Sequence, residues 1–167
     1  VVLFAKTSKA LPRLNEMFRL GEVKKTYWAI VKNCPPAEEG ELVDWLVRNE
    51  KQNKSYAYDT ERPDSKKAIL HYRLIGRSQN YYLLEIDLKT GRHHQIRVQM
   101  AGAGAPLWGD NKYNPEFVNK RGYFPIALRA FRLSFCHPTT GKRMEFEVPC
   151  NWEQLETKAD WNGEYKK

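Results

Sequence analysis

The chain has 167 residues, 41% of them hydrophobic, which is enough to bury the core of one domain over residues 1–167. Its 28 Lys and Arg exceed its 20 Asp and Glu, for a formal charge of +8 and a pI near 9.4. This charge argues against an enzyme of small neutral metabolites and favours a polyanionic partner, with excess charge that merely aids solubility as the open alternative.

The first quarter of the chain predicts a strand, a helix and a second strand. Residues 1–6 form an apolar run that predicts a buried strand. Ser8 is placed to cap a helix whose apolar side chains share one face, and Gly21 is placed to end it. The β-branched and aromatic run over residues 25–32 then predicts a second strand.

Strand patterns dominate the middle of the chain, over residues 41–48, 54–58, 68–75 and 81–88. After Thr90 and Gly91 the pattern changes to that of a helix, with Arg92 and Ile96 on one side. Residues 101–125 are rich in Gly, Pro and Asn and predict a long irregular loop, a kind of connection that often binds ligands.

The end of the chain predicts a hairpin of two strands, over residues 130–136 and 143–148, and a polar tail from Asn151 with at most one short helix. Many strands and few helices predict an α+β fold, a mixed and largely antiparallel sheet with a few peripheral helices.

The cysteines and the hydropathy pattern bear on the cellular compartment. Cys34, Cys136 and Cys150 are odd in number and too far apart for a disulfide framework or a zinc knuckle. No run approaches the roughly 18 apolar residues needed to span a bilayer. We therefore expect a cytoplasmic protein with no membrane partner.

The densest polar cluster is the segment from Thr90 to Arg97, which reads Thr-Gly-Arg-His-His-Gln-Ile-Arg. A helix start attracts anions, so this segment can hold a phosphate backbone, orient a carboxylate through an arginine, or lie as a solvated basic face. Its adjacent histidines point about 100° apart on a helix, and no Cys, Asp or Glu lies at ligand spacing. We predict no metal site.

The order of several motifs along the chain resembles that of the RluA-type RNA pseudouridine synthases. The motifs are Val1–Thr7, Lys25–Val31, Leu88–Arg97, Gly109–Tyr113 and Phe135–Gly141. The resemblance runs from Val1 to about Pro149. It implies that selected uridines of ribosomal or transfer RNA are converted to pseudouridine, without a small-molecule cofactor or a metal.

The resemblance implies catalytic roles for two residues. Tyr27 matches the tyrosine of a Lys-x-Tyr strand motif, whose ring would stack on the flipped uracil and whose hydroxyl would assist proton transfer. Arg97 matches the arginine of His-Gln-Ile-Arg, which would pair with a nucleophilic carboxylate. The alternatives are a core aromatic for Tyr27 and a surface charge for Arg97.

Five further residues are implied to bind substrate: Arg92, His94, Gln95, Ile96 and Leu128. The first three would either position the backbone of their turn or contact phosphate, and Ile96 or Leu128 would line the base pocket. Arg129 departs from the family pattern, which has a histidine at this position.

The family's nucleophile is the Asp of a His-Arg-Leu-Asp-Arg string just before the strand matched by Val1–Lys6, and no Asp of this chain lies in such a string. We therefore expect an upstream segment to supply it, and this chain alone to be inactive. Two other hypotheses stay open: a non-catalytic RNA-binding module with the same fold, and a structural or partner-binding basic domain.

Overall fold

The computed structural model describes residues 1–149, which form one seven-stranded sheet with three helices on it. The strands are β1 Lys24–Val31, β2 Glu39–Asn49, β3 Lys54–Tyr58, β4 Lys66–Arg77, β5 Tyr82–Leu88, β6 Leu128–Cys136 and β7 Arg143–Glu147. The helices are α1 Ala10–Arg19, α2 Gln95–Gly102 and α3 Pro115–Val118.

The strand order is β3-β2-β4-β5-β1-β6-β7, and all neighbouring strands are antiparallel. This confirms the predicted α+β fold with its largely antiparallel sheet. β1 lies between β5 and β6, so its backbone hydrogen-bonds on both edges, which suits its β-branched and aromatic residues. A central strand of this kind gives its side chains fixed positions.

The main core lies between α2 and one face of the sheet. Alternate residues of β1 point to this face, where they meet the apolar side of α2. The buried members of this core are Ala29, Val31, Leu70, Tyr72, Leu84, Ile86, Ile96, Met100, Ala105 and Leu107. A second cluster joins α1 to β6 through residues that include Leu14, Met17 and Leu133.

The predicted strand over residues 1–6 is wrong, because this segment has no regular secondary structure. Val1, Leu3 and Ala5 are half-buried against the α1 cluster, whereas Val2 and Phe4 are exposed. The apolar side chains of this run are buried by packing on α1 and β6 rather than by pairing with a strand. The Val1 nitrogen donates to the Ala130 carbonyl at 2.9 Å.

Two predicted helix starts also differ from the structure. Lys9, not Ser8, is the N-cap of α1, and it makes no side-chain capping bond. The second helix begins at Gln95, three residues later than the polar segment predicts, so Arg92 and His93 precede it. The N-cap His94 has a left-handed backbone with φ of 55°, which bends the chain sharply into α2.

The remaining predictions for the carboxy-terminal half are confirmed in outline. The 101–125 segment is irregular except for α2's last turn and the one-turn helix α3, which Asn114 caps by accepting from the Glu116 backbone N–H. The late hairpin forms as β6 and β7. The short helix predicted after Asn151 lies outside the described residues.

Candidate functional site

Tyr27 lies in the middle of the central strand β1, opposite Ile86 of β5 and Ala130 of β6. The register between β1 and β6 shifts between Thr26 and Tyr27, because Phe131 bulges out of the pairing. The Phe131 ring stacks on Trp28, on the opposite face, at a centroid distance of 4.0 Å. The bulge of β6 therefore lies directly beside Tyr27, and the Phe131–Trp28 stacking holds it in place.

The Tyr27 side chain points to the α2 side of the sheet and packs half-buried against the main core. Within residues 1–149 its hydroxyl makes no hydrogen bond, so this polar group is available to a bound molecule. Burial raises the pKa of Tyr27, which keeps the hydroxyl protonated near neutral pH. It is therefore a hydrogen-bond donor beside an aromatic face.

Lys25 lies two residues before Tyr27 and on the same side of β1. Its ammonium is close enough to Gly91 that a Cβ at that position would lie 2.9 Å away. Burial lowers the pKa of Lys25, and the neighbouring Arg92 lowers it further. Among the described residues neither cation has a carboxylate partner, although the Arg92 Nε donates to the Lys67 carbonyl at 3.0 Å. The two side chains therefore place two positive charges near each other.

Gln95 holds the turn that precedes α2. Its side-chain oxygen accepts from the Thr90 hydroxyl and from the Arg92 backbone N–H, both at 2.9 Å. Its side-chain nitrogen donates to the Ile69 carbonyl at 3.1 Å. Gln95 is only 2% exposed, so the contacts correspond to one of its two predicted roles, positioning the backbone of the turn. Its contact with phosphate stays a prediction.

Arg97, in the first turn of α2, forms a bidentate ion pair with Asp110. The Arg97 Nε donates to Oδ2 at 2.8 Å and an Nη donates to Oδ1 at 2.6 Å. Asp110 is 0% exposed, and its Oδ1 also accepts the backbone N–H groups of Lys112 and Tyr113. Burial acts to raise the pKa of Asp110, but these donors outweigh it and hold the pKa below its usual value.

His94 and Tyr113 complete the surroundings of the Arg97 guanidinium. An Arg97 Nη lies 3.2 Å from His94 Nε2. Because arginine can only donate, Nε2 accepts and Nδ1 carries the proton, which it donates to the Tyr113 hydroxyl at 2.9 Å. That hydroxyl also accepts the Ser55 backbone N–H at 2.7 Å. Burial, together with the Arg97 charge, lowers the pKa of His94 to about 4, so the ring is neutral at physiological pH.

The predicted site residues fall into two neighbouring groups. Tyr27, Ile96 and Leu128 contact the main core, whereas Arg97 and His94 lie with Asp110. Among residues 1–149, no hydrogen bond or ring contact joins Tyr27 to Arg97. The catalytic roles of both, and the contact of Ile96 or Leu128 with a base, stay predictions.

Three residues of this site were not predicted: Lys25, Asp110 and Tyr113. All three lie inside segments that carry the family resemblance, which is the signal that pointed to them without assigning a role. Tyr113 approaches Arg97 with its ring, 5.1 Å from the guanidinium carbon to the ring centroid. Nothing in the local pattern indicates this contact, since it depends on how residues 103–114 return to α2.

Two further properties concern metals and membranes. In the part of the chain that the structure describes, no group of three or more His, Cys, Asp or Glu is arranged to hold a metal ion. None of the helices within residues 1–149 has the length and apolar character needed to cross a membrane.

The chain is an antiparallel α+β domain whose central strand carries Tyr27 and Lys25 on the same side. Residues 1–102 match the family model described as RNA pseudouridylate synthase, and the chain belongs to this family.

Several relatives agree with this assignment. The chain is 35% identical over 150 residues to the uncharacterized RNA pseudouridine synthase YlyB of Bacillus subtilis, covering 89% of this chain and 48% of the relative. It is 31% identical to the ribosomal large subunit pseudouridine synthase D of Pasteurella multocida, covering 96% and 53%, respectively. It is 28% identical to tRNA pseudouridine synthase C of Vibrio parahaemolyticus, covering 100% and 74%.

The fold also matches a solved structure, that of human RNA pseudouridylate synthase domain containing 1. The TM-score is 0.75 at 19% sequence identity, with 91% of this chain and 64% of that chain covered. The chain spans about half the length of two of the relatives named above, those of Bacillus subtilis and Pasteurella multocida.

Proposed function

We propose that this chain forms part of an RNA pseudouridine synthase that isomerises selected uridines of ribosomal or transfer RNA, with Tyr27 and Arg97 in its active site. The observation that carries the proposal is the half-buried Tyr27 hydroxyl, unbonded within residues 1–149, beside the Lys25 and Arg92 cations. A base and its phosphate need this combination of an aromatic face, a polar tip and positive charge.

In the proposed reaction the bond between ribose C1′ and uracil N1 breaks and a new bond forms from C1′ to C5. The proton on C5 is removed and N1 gains a proton, so the product is an isomer of the uridine. Tyr27 stacks on the uracil once it is turned out of the RNA, and its hydroxyl assists proton transfer. The register shift at Thr26 and Tyr27 supports this role, because bulges re-aim side chains and occur next to active sites.

Arg97 is proposed to orient the nucleophilic carboxylate of the reaction. Its three hydrogen bonds, to both oxygens of Asp110 and to His94, leave two N–H groups without a partner among the described residues. Its side chain is 16% exposed, so a carboxylate can approach it. Asp110 itself is fully buried, and its oxygens are taken up by Arg97 and two backbone N–H groups, which suits a positioning role.

Lys25 and Arg92 are proposed to bind the phosphate of the target nucleotide. They lie near each other without a carboxylate partner in the described chain, so an anion between them would relieve their mutual repulsion. We also place the reaction in the cytoplasm, where the exposed thiols of Cys34 and Cys136 stay reduced. Recovery of the protein in a membrane or secreted fraction would contradict this placement.

The test is pseudouridine formation in bulk ribosomal and transfer RNA by the complete gene product, measured by nucleoside analysis after digestion. We expect Tyr27→Phe and Arg97→Lys each to lose most of the activity. Tyr82→Phe is the matched control, because Tyr82 is another half-buried strand tyrosine that packs on the same core. It should keep full activity.

Equal activity in Tyr27→Phe and Tyr82→Phe would remove Tyr27 from the mechanism. RNA binding without any pseudouridine formation by the complete gene product would favour the non-catalytic RNA-binding module.

A further inference from the structure

The segment 119–125, within the connection from α3 to β6, combines positive charge with aromatic rings. It lies in a 28-residue stretch, 117–144, that contains six Lys or Arg and no Asp or Glu. In this segment, which we term the 119–125 loop, Lys120 pairs with Glu116 at 3.3 Å, whereas Arg121 has no ion-pair partner among residues 1–149. A surface of this kind attracts a polyanion.

The base of the 119–125 loop is held in place by aromatic packing. The Lys120 ammonium lies 4.5 Å from the Phe117 ring centroid and 5.6 Å from that of Phe124. The Phe117 and Phe124 rings meet edge to face at 5.2 Å. Phe117 is fully buried, so these contacts tie the loop to the body of the domain. Little ordering of this part of the loop would remain to be done on binding.

The tip of the 119–125 loop presents a ring to solvent. Tyr123 is 90% exposed and follows Gly122, whose φ of 111° turns the chain outward. Arg121 is also exposed, and it makes no ion pair within residues 1–149. A single exposed tyrosine is ordinary on a protein surface. An exposed tyrosine next to two cations on an anchored loop has the composition of a base-stacking contact.

The 119–125 loop adjoins the candidate site on two sides. At one side, a Cβ on Gly109 would lie 2.1 Å from the Pro125 carbonyl oxygen, and Gly109 directly precedes the buried Asp110. At the other, Ile126 packs on the same core as Tyr27. An RNA strand whose target base reaches Tyr27 would therefore pass this loop with its neighbouring nucleotides.

We infer that the 119–125 loop binds single-stranded RNA next to the target uridine, with Tyr123 stacked on an unpaired base and Arg121 on a backbone phosphate. This inference rests on the proposed function, which supplies RNA as the partner. Stacking suits unpaired nucleotides, since the bases of a duplex are covered by their neighbours. The loop should therefore favour single strands over duplexes.

The experiment measures binding of the protein to a short fluorescein-labelled single-stranded RNA, and to the matching duplex, by fluorescence anisotropy. Tyr123→Ala should weaken single-strand binding about tenfold, whereas Tyr123→Phe, which keeps the ring, should bind within about twofold of the original. Arg121→Gln should lower the slope of log affinity against log salt by about 0.7, the value for one phosphate contact on a single strand.

Two controls lie away from the loop. Phe4→Ala removes a ring that is 81% exposed, and Lys142→Gln removes a charge at the opposite end of β6, roughly 25–30 Å away for nine residues of strand. Neither should change single-strand binding. Thermal unfolding should be the same for all five exposed variants, which separates lost contacts from lost structure.

Binding of Tyr123→Ala at the original affinity, or equal loss in Tyr123→Phe, would overturn the inference for the loop. If pseudouridine formation still depends on Tyr27 in that case, the proposed function stands without it. No RNA binding by the unsubstituted protein at low salt would overturn both.

Discussion

Removal of the Arg97 guanidinium should destabilise the protein because it leaves the Asp110 carboxylate buried without its ion-pair partner. Arg97→Met keeps the length and apolar stem of the side chain and deletes the charge. Breaking a buried ion pair from one side typically costs about 3–5 kcal/mol. Asp110 keeps the N–H donors of Lys112 and Tyr113, so we expect the lower end, about 3 kcal/mol.

Urea unfolding followed by tryptophan fluorescence measures this loss. For a small domain the free energy of unfolding falls by about 1–3 kcal/mol per molar urea, so a loss of ~3 kcal/mol shifts the midpoint by roughly 1–3 M. Asp110→Asn should cost less than Arg97→Met, because the arginine that remains is partly exposed and can be hydrated. The double variant should lose less than the sum of the two.

The pH dependence of this loss distinguishes an unpaired charge from a packing defect. The pKa of Asp110 is held below its usual value in the folded protein, so its contribution is present above the carboxyl's usual pKa and is lost as the pH falls. The stability difference between the original protein and Arg97→Met should therefore narrow towards acid pH. Arg19→Met, which breaks an exposed pair with Glu16, is the control and should not shift the midpoint. An unchanged midpoint in Arg97→Met would refute the ion-pair argument.

The other predictions concern His94, Tyr113 and two glycines. The folded pKa of His94, about 4, lies below its ordinary 6.5, so stability should fall as the pH drops between these values, and His94→Gln should flatten that part of the stability profile. Tyr113→Phe leaves the buried Ser55 N–H without its acceptor and should cost about 1–3 kcal/mol by urea unfolding; a smaller loss would mean that water replaces the hydroxyl. Gly109→Ala and Gly104→Ala both meet a positive φ, of 76° and 81°, but only Gly109 has a backbone carbonyl oxygen 2.1 Å from the added Cβ. By thermal unfolding Gly109→Ala should therefore be much the more destabilised, and equal losses would contradict the clash.

The local sequence pattern predicted the strands whose residue types are characteristic of a strand on their own. β1 and β5 are β-branched and aromatic runs, and β6 and β7 alternate around a turn, so each reads as a strand without knowledge of its neighbours. The family resemblance could also be identified from the sequence, because each motif is a continuous segment and the motifs occur in a fixed order along the chain.

The errors occur where a segment depends on distant partners. Residues 1–6 have the composition of a strand, yet their apolar side chains are buried by packing on α1 and β6, without pairing with a strand. The start of α2 is set by the Gln95 side chain, which binds Thr90 and the distant Ile69 carbonyl, and therefore not by helix propensity alone.

The candidate site likewise has features that the sequence predicted and features that depend on the tertiary structure. Sequence by itself determined that Tyr27 lies on a strand and that Arg97 lies on a helix beside a polar turn. Only the tertiary structure decided that Arg97 pairs with Asp110, and that Lys25 lies beside Arg92 from another element. Side chains far apart in sequence meet through packing of the chain between them, and the energy of a buried charge depends on which partners that packing brings within hydrogen-bonding distance.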